Sequence, residues 1–312
     1  VLFRSAAGAG SGDVAPAGGV GIPGGAISTS TTTVLEYNDP TLHETATVMG
    51  MATGYDVKVY KRFVGSLRKT GYKGNIILVV APDIGNREKT YLESKNVTMH
   101  KVQHTNCTHS AFKTDGKDPK NSHAKELMTC VHPYPNLKHR WARFPLLRDL
   151  LENCGGKADP ERACGGPVLI TDVRDTFFQR NPFGPEAPKV HGLQVFEEHF
   201  TITTEHWLVK WPVESCKGVT YDKPMLCSGT TIGTRQAMLD YLKIFHGEMD
   251  RWMADPKCHF KLNGDDQSMH NYLYYSGMLD GVTGGAHAAK NRDALRSEEH
   301  TSELQSRQYL VC

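Results

Sequence analysis

The sequence predicts an α/β fold with a mixed, mostly parallel sheet flanked by helices. Three observations lead there. Two unbroken apolar runs bounded by turn residues, Asn75–Ala81 and Val168–Thr171, have the makeup of strands buried on both faces. Amphipathic stretches at helical spacing lie near them in the chain. Strand, helix and strand follow one another in the order of βαβ units.

Taken in order, Thr45–Ala52 is a short apolar run suited to a buried strand. A helix is predicted over Asp56–Thr70, with Val57, Tyr60, Val64 and Leu67 on one face and Gly71 just past its end. Asn75–Ala81 is the second strand. Pro82 and Asp83 lead into a helix near Arg87–Lys95, and Val97–Val102 makes a third strand. His104–Asn136 is rich in Lys, His, Asp and Pro, has no period, and reads as a long loop. Pro145 interrupts or starts the next helix, which carries Leu146, Leu147, Leu150 and Leu151. Val168–Thr171 is the fourth strand and ends directly at Asp172. Beyond it the sequence predicts a strand at Leu193–Phe196, an irregular aromatic stretch through Trp207 and Trp211, and a strand at Ser228–Thr234. Helices at Gln236–Met253 and Gln267–Tyr275 complete the series. The tally suits one domain over residues 45–295.

The two ends read differently. Residues 1–5 and 296–312 resemble translated sequencing-library adapters, and both natural termini are expected to be missing. Residues 6–44 form a low-complexity stem or linker, its first part almost wholly Ala, Gly, Ser, Thr, Pro and Val, which cannot bury enough apolar surface to offset its ordering entropy.

The net charge is +2, and it is unchanged when both ends are set aside, so nothing argues for a nucleic-acid partner. No Cys-x-x-Cys pair is present, and no cysteine stands at zinc-finger spacing from a His. Cys154 and Cys164 bracket a Gly/Pro-rich loop and are the first expected disulfide. Two sequons, Asn96-Val97-Thr98 and Asn106-Cys107-Thr108, would accept N-glycans in a secretory compartment.

In parallel α/β sheets, ligands gather outside the carboxyl ends of the strands. Asp172 and Asp175 form a carboxylate pair there, across a turn. Two hard oxygen ligands suit Mg²⁺ or Mn²⁺ over a diphosphate; alternatively the pair caps the turn and binds Arg174 or Arg180. The segment Val168-Leu-Ile-Thr-Asp172-Val-Arg174-Asp175-Thr-Phe-Phe-Gln-Arg-Asn-Pro-Phe183 resembles the metal motif of GT-A glycosyltransferases. There an apolar strand ends in Asp-x-Asp, which grips the metal and the donor's diphosphate. This chain has Asp-x-x-Asp, with Arg174 in the place of the second Asp.

Two later segments resemble the same family, in its order. Leu226-Cys-Ser228-Gly229-Thr-Thr-Ile-Gly233 is similar to the Asn-Ser-Gly strand that lines the sugar site. Asn263-Gly-Asp265-Asp266-Gln267-Ser-Met-His-Asn271 is similar to its Asp-Gln-x-x-x-Asn helix start, although an aspartate there would also cap a helix.

The resemblance implies a GT-A, Rossmann-like fold and a glycosyltransferase that uses Mn²⁺ or Mg²⁺, a nucleotide-sugar donor and a glycan or glycoprotein acceptor. Asp172 and Asp175 would hold the metal, and Asp265 or Asp266 would act catalytically. Thr53, Tyr55, Arg174, Ser228, Gly229 and Gln267 would meet the donor. Glu197, Glu198 and His199, at the end of another strand, would meet the acceptor or the metal, Asn271 would meet the acceptor, and His287 would complete the metal site. Tyr55 serves equally as core packing, and Arg174 equally as a surface ion pair. Inverting and retaining routes both stay open.

The same resemblance implies a secretory-pathway lumen such as the Golgi, with a membrane anchor in the missing N-terminus of a type II protein. Two other classes compete: a catalytically inactive, glycan-binding relative, and a haloacid-dehalogenase-type phosphatase, whose Asp-x-Asp-x-Thr pattern Asp172-Val-Arg174-Asp175-Thr176 partly matches.

Overall fold

The computed structural model describes residues 44–108, 129–154, 164–185, 187, 191–202, 207–258 and 266–290, and the side chains of all but 199–200 and 207–211 among them. Both adapter-like ends, and all but the last residue of the expected stem, lie outside these residues.

The apolar runs become strands: β1 at Thr47–Met51, β2 at Asn75–Val80 and β7 at Val168–Thr171. With β3 (Thr98–Lys101), β8 (Leu193–Thr201), β9 (Pro224–Gly233) and β10 (Ala286–Ala289) they form one seven-stranded sheet in the order β10-β8-β9-β7-β1-β2-β3. β9 runs antiparallel to both neighbours and every other pairing is parallel. This is the mixed, mostly parallel α/β sheet that the sequence predicts.

Successive strand residues point to opposite faces, and both faces are covered. Met49, Ile77, Val79, Val168 and Ile170 pack in one core with helices α3 (His139–Glu152), α5 (Arg235–Ala254) and α6 (Asp266–Tyr275). Val48, Ile76, Leu78, Val80 and Leu169 pack in the other. Its helices are α1, which runs from Val57–Tyr60 through a π-helical turn Lys61–Gly65 into Ser66–Lys69, and α2 (Asn86–Ser94). Each fully buried Val, Leu or Ile contributes about 1.5–3 kcal/mol, which is why these strands carry no polar alternation. Asp56 starts α1 by accepting from the Lys58 and Val59 amides at 2.8 and 3.1 Å.

Four expectations are corrected. At the two ends of the expected loop 104–136, β4 (Gln103–Thr105), β5 (Cys130–His132) and β6 (Tyr134–Lys138) make a three-stranded antiparallel sheet, with β5 bonded to Cys107 by a disulfide to Cys130, while residues 109–128 of that loop lie outside the described residues. Pro145 neither starts nor interrupts α3 but sits inside the unbroken helix, at the cost of one backbone donor. The aromatic stretch is helix α4, Trp207–Lys217, tied by Cys216 to Cys258. β9 begins four residues before the expected Ser228, because a proline is admissible as a strand's first residue. Cys154 and Cys164 are paired, as expected.

Candidate active site

The antiparallel register of β9 against β7 builds the site. Thr171 lies opposite Thr230, so the next residues, Asp172 and Gly229, meet just past the end of β7. The Asp172 amide donates to the Gly229 carbonyl at 2.8 Å. A Cβ on Gly229 would lie 2.6 Å from Asp172 Oδ2, so only glycine leaves that oxygen room. Gly50 does the same behind it: a Cβ there would meet the Thr171 carbonyl and Val173 at 2.7 Å each.

A third segment joins them through Arg143 on α3. Its guanidinium donates to Asp172 Oδ1 at 2.6 Å and to the Ser228 carbonyl at 3.0 Å, and pairs with Asp266 Oδ2 at 2.7 Å. Ser228 Oγ in turn donates to Asp266 Oδ1 at 3.1 Å. One planar cation thus ties together the end of β7, β9 and the first turn of α6, using the fork geometry particular to arginine. The Arg143 and Asp266 side chains are 12% and 4% exposed, whereas that of Asp172 is 46% exposed. Asp172 is therefore the carboxylate that faces outward.

The electrostatics follow from that crowding. Surrounding protein raises the Asp172 pKa above the usual carboxylate value, the Arg143 charge pulls it back, and Asp266 pushes it up again. Beneath Arg143, the wholly buried His270 is pushed down to about 3 by burial and then by the Arg143 charge, so it stays neutral. Its Nδ1 lies 2.8 Å from the Tyr241 hydroxyl, and its Nε2 has no hydrogen-bond partner among the described residues.

Other residues gather on the β1 side. Arg174 holds Asp175 through its Nε and Nη2 at 3.0–3.1 Å, both side chains about half exposed. That hydrogen bond lifts the Arg174 pKa against partial burial, with smaller contributions from Tyr55 and Asp172. Tyr55, Arg174, Asp175 and Asp172 are thus electrostatic neighbours. Tyr55 also packs against the α1-side core. Thr53 is buried, with its hydroxyl 2.9 Å from His139 Nε2.

On the β9 side, Gln267 donates to Glu198 at 2.7 Å and to the Leu226 carbonyl at 2.9 Å. Burial raises the Glu198 pKa, and Gln267 opposes the rise. Asn271 is 1% exposed and fully engaged: it accepts from the Leu226 amide and donates to the carbonyls of Leu226 and Gln267. It ties α6 to β9 rather than reaching an open surface. Glu197 is half-buried on β8, near enough to raise the Tyr275 pKa after burial has done so. Asp265 and the His199 side chain lie outside the described residues. His287 is exposed on β10, near the Gly284 carbonyl. Among the described residues no three His, Cys, Asp or Glu groups converge to hold a metal.

Arg143 and His270 were missed at the level of sequence, whereas Glu198 was expected there with Glu197 and His199. Arg143 lies in a stretch that reads only as helix, and its partners stand 29, 85 and 123 residues away in the sequence.

Fold and site together define an α/β protein whose carboxyl strand edge carries two aspartates bridged by an arginine. No protein-family model matches the chain, and no curated protein matches it. Among solved structures the chain is similar to one described as an active-site mutant of LgtC, at 14% identity and a TM-score of 0.42, covering 79% of this chain and 73% of that one.

Proposed function

We propose that this protein is a metal-dependent glycosyltransferase, moving a sugar from a nucleotide-diphospho-sugar to a glycan or glycoprotein. The observation that carries the reading is the Arg143 bridge between Asp172 and Asp266. It sets one open and one sheltered carboxylate side by side at the strand edge where α/β ligands bind.

The donor set suits Mn²⁺ or Mg²⁺. Asp172 Oδ2 has room above Gly229, Asp175 is exposed, and Mg²⁺ in particular is usually held by one or two carboxylates together with substrate phosphates and water. Asp172, with Asp175, would hold the ion, which when bound supplies Lewis-acid stabilisation of the departing diphosphate.

The chain's own residues do the rest. Arg143 fixes the Asp172 rotamer through Oδ1, so that Oδ2 keeps one direction. Arg174, exposed beside it, meets diphosphate oxygens by exchanging its hold on Asp175. Gly229 and Ser228 let the donor sugar approach β9 closely. Asp266, or its neighbour Asp265, orients a sugar hydroxyl or takes the acceptor's proton. Gln267, its amide held by Glu198 and the Leu226 carbonyl, meets the donor, while Glu197, Glu198 and His199 serve the acceptor.

We further place the protein in a secretory lumen such as the Golgi, as part of a type II membrane protein. Three disulfides among the described residues support an oxidising compartment.

A panel of nucleotide sugars, screened by thermal shift and then for hydrolysis with Mn²⁺, tests the reading. One donor is expected to raise the apparent stability and to be hydrolysed slowly. Binding without turnover would favour a glycan-binding relative, and phosphate release from simple phosphomonoesters would favour a phosphatase.

A further inference from the structure

Neither sequon takes part in the chemistry above, yet the structure treats them differently. Asn96 sits in the turn between α2 and β3 with left-handed backbone, φ 53°, a conformation that asparagine tolerates better than most residues. The turn is held from below: Arg68 donates through Nε to the Lys95 carbonyl at 3.1 Å and through Nη2 to the Asn96 carbonyl at 3.1 Å. Asn96 and Thr98 are exposed. The Asn96 amide side chain and the Thr98 hydroxyl have no hydrogen-bond partner among the described residues.

Asn106 is also exposed, but its sequon is tied down at the other two positions. Cys107 is bonded to Cys130 on β5. Thr108 gives both its amide and its hydroxyl to the Pro135 carbonyl, at 2.8 and 3.1 Å. A glycan-transferring enzyme must draw the acceptor segment into its own groove and engage the sequon hydroxyl. Here the hydroxyl is spent, and the residue between Asn and Thr is crosslinked to a neighbouring strand.

We propose that the protein is an N-glycoprotein modified at Asn96, and that closure of the Cys107–Cys130 disulfide withholds Asn106 from modification. The proposal rests on the secretory reading given above. In the reaction, Asn96 Nδ2 bonds to the anomeric carbon of a lipid-diphosphate-linked oligosaccharide. The bond from that carbon to the phosphate oxygen breaks, the lipid diphosphate leaves with the bonding electron pair, and the amide proton passes by way of the transferring enzyme's base to solvent. The acceptor needs no redox partner. The gate at Asn106 is the disulfide, which anchors Cys107 while Thr108 is held at the Pro135 carbonyl.

The test is expression of the 312-residue chain behind a cleavable secretory signal in a eukaryotic cell, followed by peptide-N-glycosidase digestion and mass spectrometry of the released sites. The wild-type chain is expected to carry one glycan, at Asn96. Asn96→Asp, which keeps a residue that tolerates left-handed backbone, removes it, and Thr98→Ala does the same without touching the turn residue. Cys130→Ser is expected to gain a second glycan at Asn106, with occupancy rising several-fold. Because that variant also perturbs folding, the wild-type chain synthesised under a reducing pulse provides a second reading of the same gate. An unmodified Asn96 in a secreted chain would overturn the proposal, as would an Asn106 occupied in the oxidised wild type. An Asn106 that stays bare without the disulfide would overturn the gate. Nucleotide-sugar turnover of the same secreted chain reports separately on the catalytic reading.

Discussion

Two arginine–aspartate pairs stand at the end of β7, and they are built in opposite ways. Arg174 and Asp175 are adjacent in sequence, about half exposed, and bound chiefly to each other. Arg143 and Asp266 come from α3 and α6, are nearly buried and both bond to Ser228, and Arg143 also holds Asp172. An exposed pair is solvated whether or not it forms, so it contributes about 0–1 kcal/mol. A buried pair cannot lose one member without stranding the other. The difference teaches that the pair visible in the sequence is the energetically minor one.

The largest effect is expected for Arg143→Ala. It leaves the 4%-exposed Asp266 without its cation, and a loss of about 3–5 kcal/mol is expected in denaturant unfolding. Arg143→Lys keeps the charge but not the fork and should fall between. A loss no larger than that of an exposed pair would mean that the bridge does not organise the site.

Next comes Gly229→Ala. Its methyl would press on Asp172 Oδ2, whose carboxylate cannot swing away while Arg143 holds Oδ1, and overpacking of this kind costs about 1–3 kcal/mol. Mn²⁺-stimulated turnover should fall further than stability does; the reverse order would detach Gly229 from the metal site.

The buried histidine beneath that pair also predicts a pH signature. His270 holds a folded pKa near 3 against an ordinary 6.5. Above pH 6.5 both folded and unfolded chains carry it neutral, and it contributes nothing to the slope. Below 6.5 the unfolded chain takes a proton that the folded one refuses. Stability attributable to this group therefore falls as pH drops from 6.5 toward 3, by up to about 1.4 kcal/mol per unit. His270→Asn, which keeps an acceptor for Tyr241, should flatten the slope relative to wild type. Parallel stability curves for the two proteins would refute a neutral, buried His270.

The smallest effect is expected for Arg174→Ala, about 0–1 kcal/mol in stability. Its change should appear instead as weaker nucleotide-sugar binding in titration calorimetry.

What could be read in advance follows the same division between local and distant causes. β1, β2 and β7 were legible because a strand buried on both faces needs an unbroken apolar run. Asp172 was legible because it ends one. The Cys154–Cys164 bond was legible because its partners bracket a short loop. By contrast, β4, β5 and β6 are short and partly exposed, with a proline at 133 between two of them, so their residues carry no period. Helix α4 contains Pro212, which argues locally against a helix. β10, Ala-His-Ala-Ala, is an edge strand of weak β propensity, stabilised by pairing with β8. Arg143 was illegible because nothing in its own helix distinguishes it from Arg140 or Arg148; only the tertiary register of β9 on β7 brings its partners to it.

The most direct test of the central claim is Mn²⁺-dependent nucleotide-sugar hydrolysis by the wild type and by Asp172→Ala, with circular dichroism confirming that both are folded. Turnover is expected to require the metal in the wild type and to be lost in the folded variant. Equal turnover in the two proteins, or hydrolysis indifferent to Mn²⁺, would contradict it.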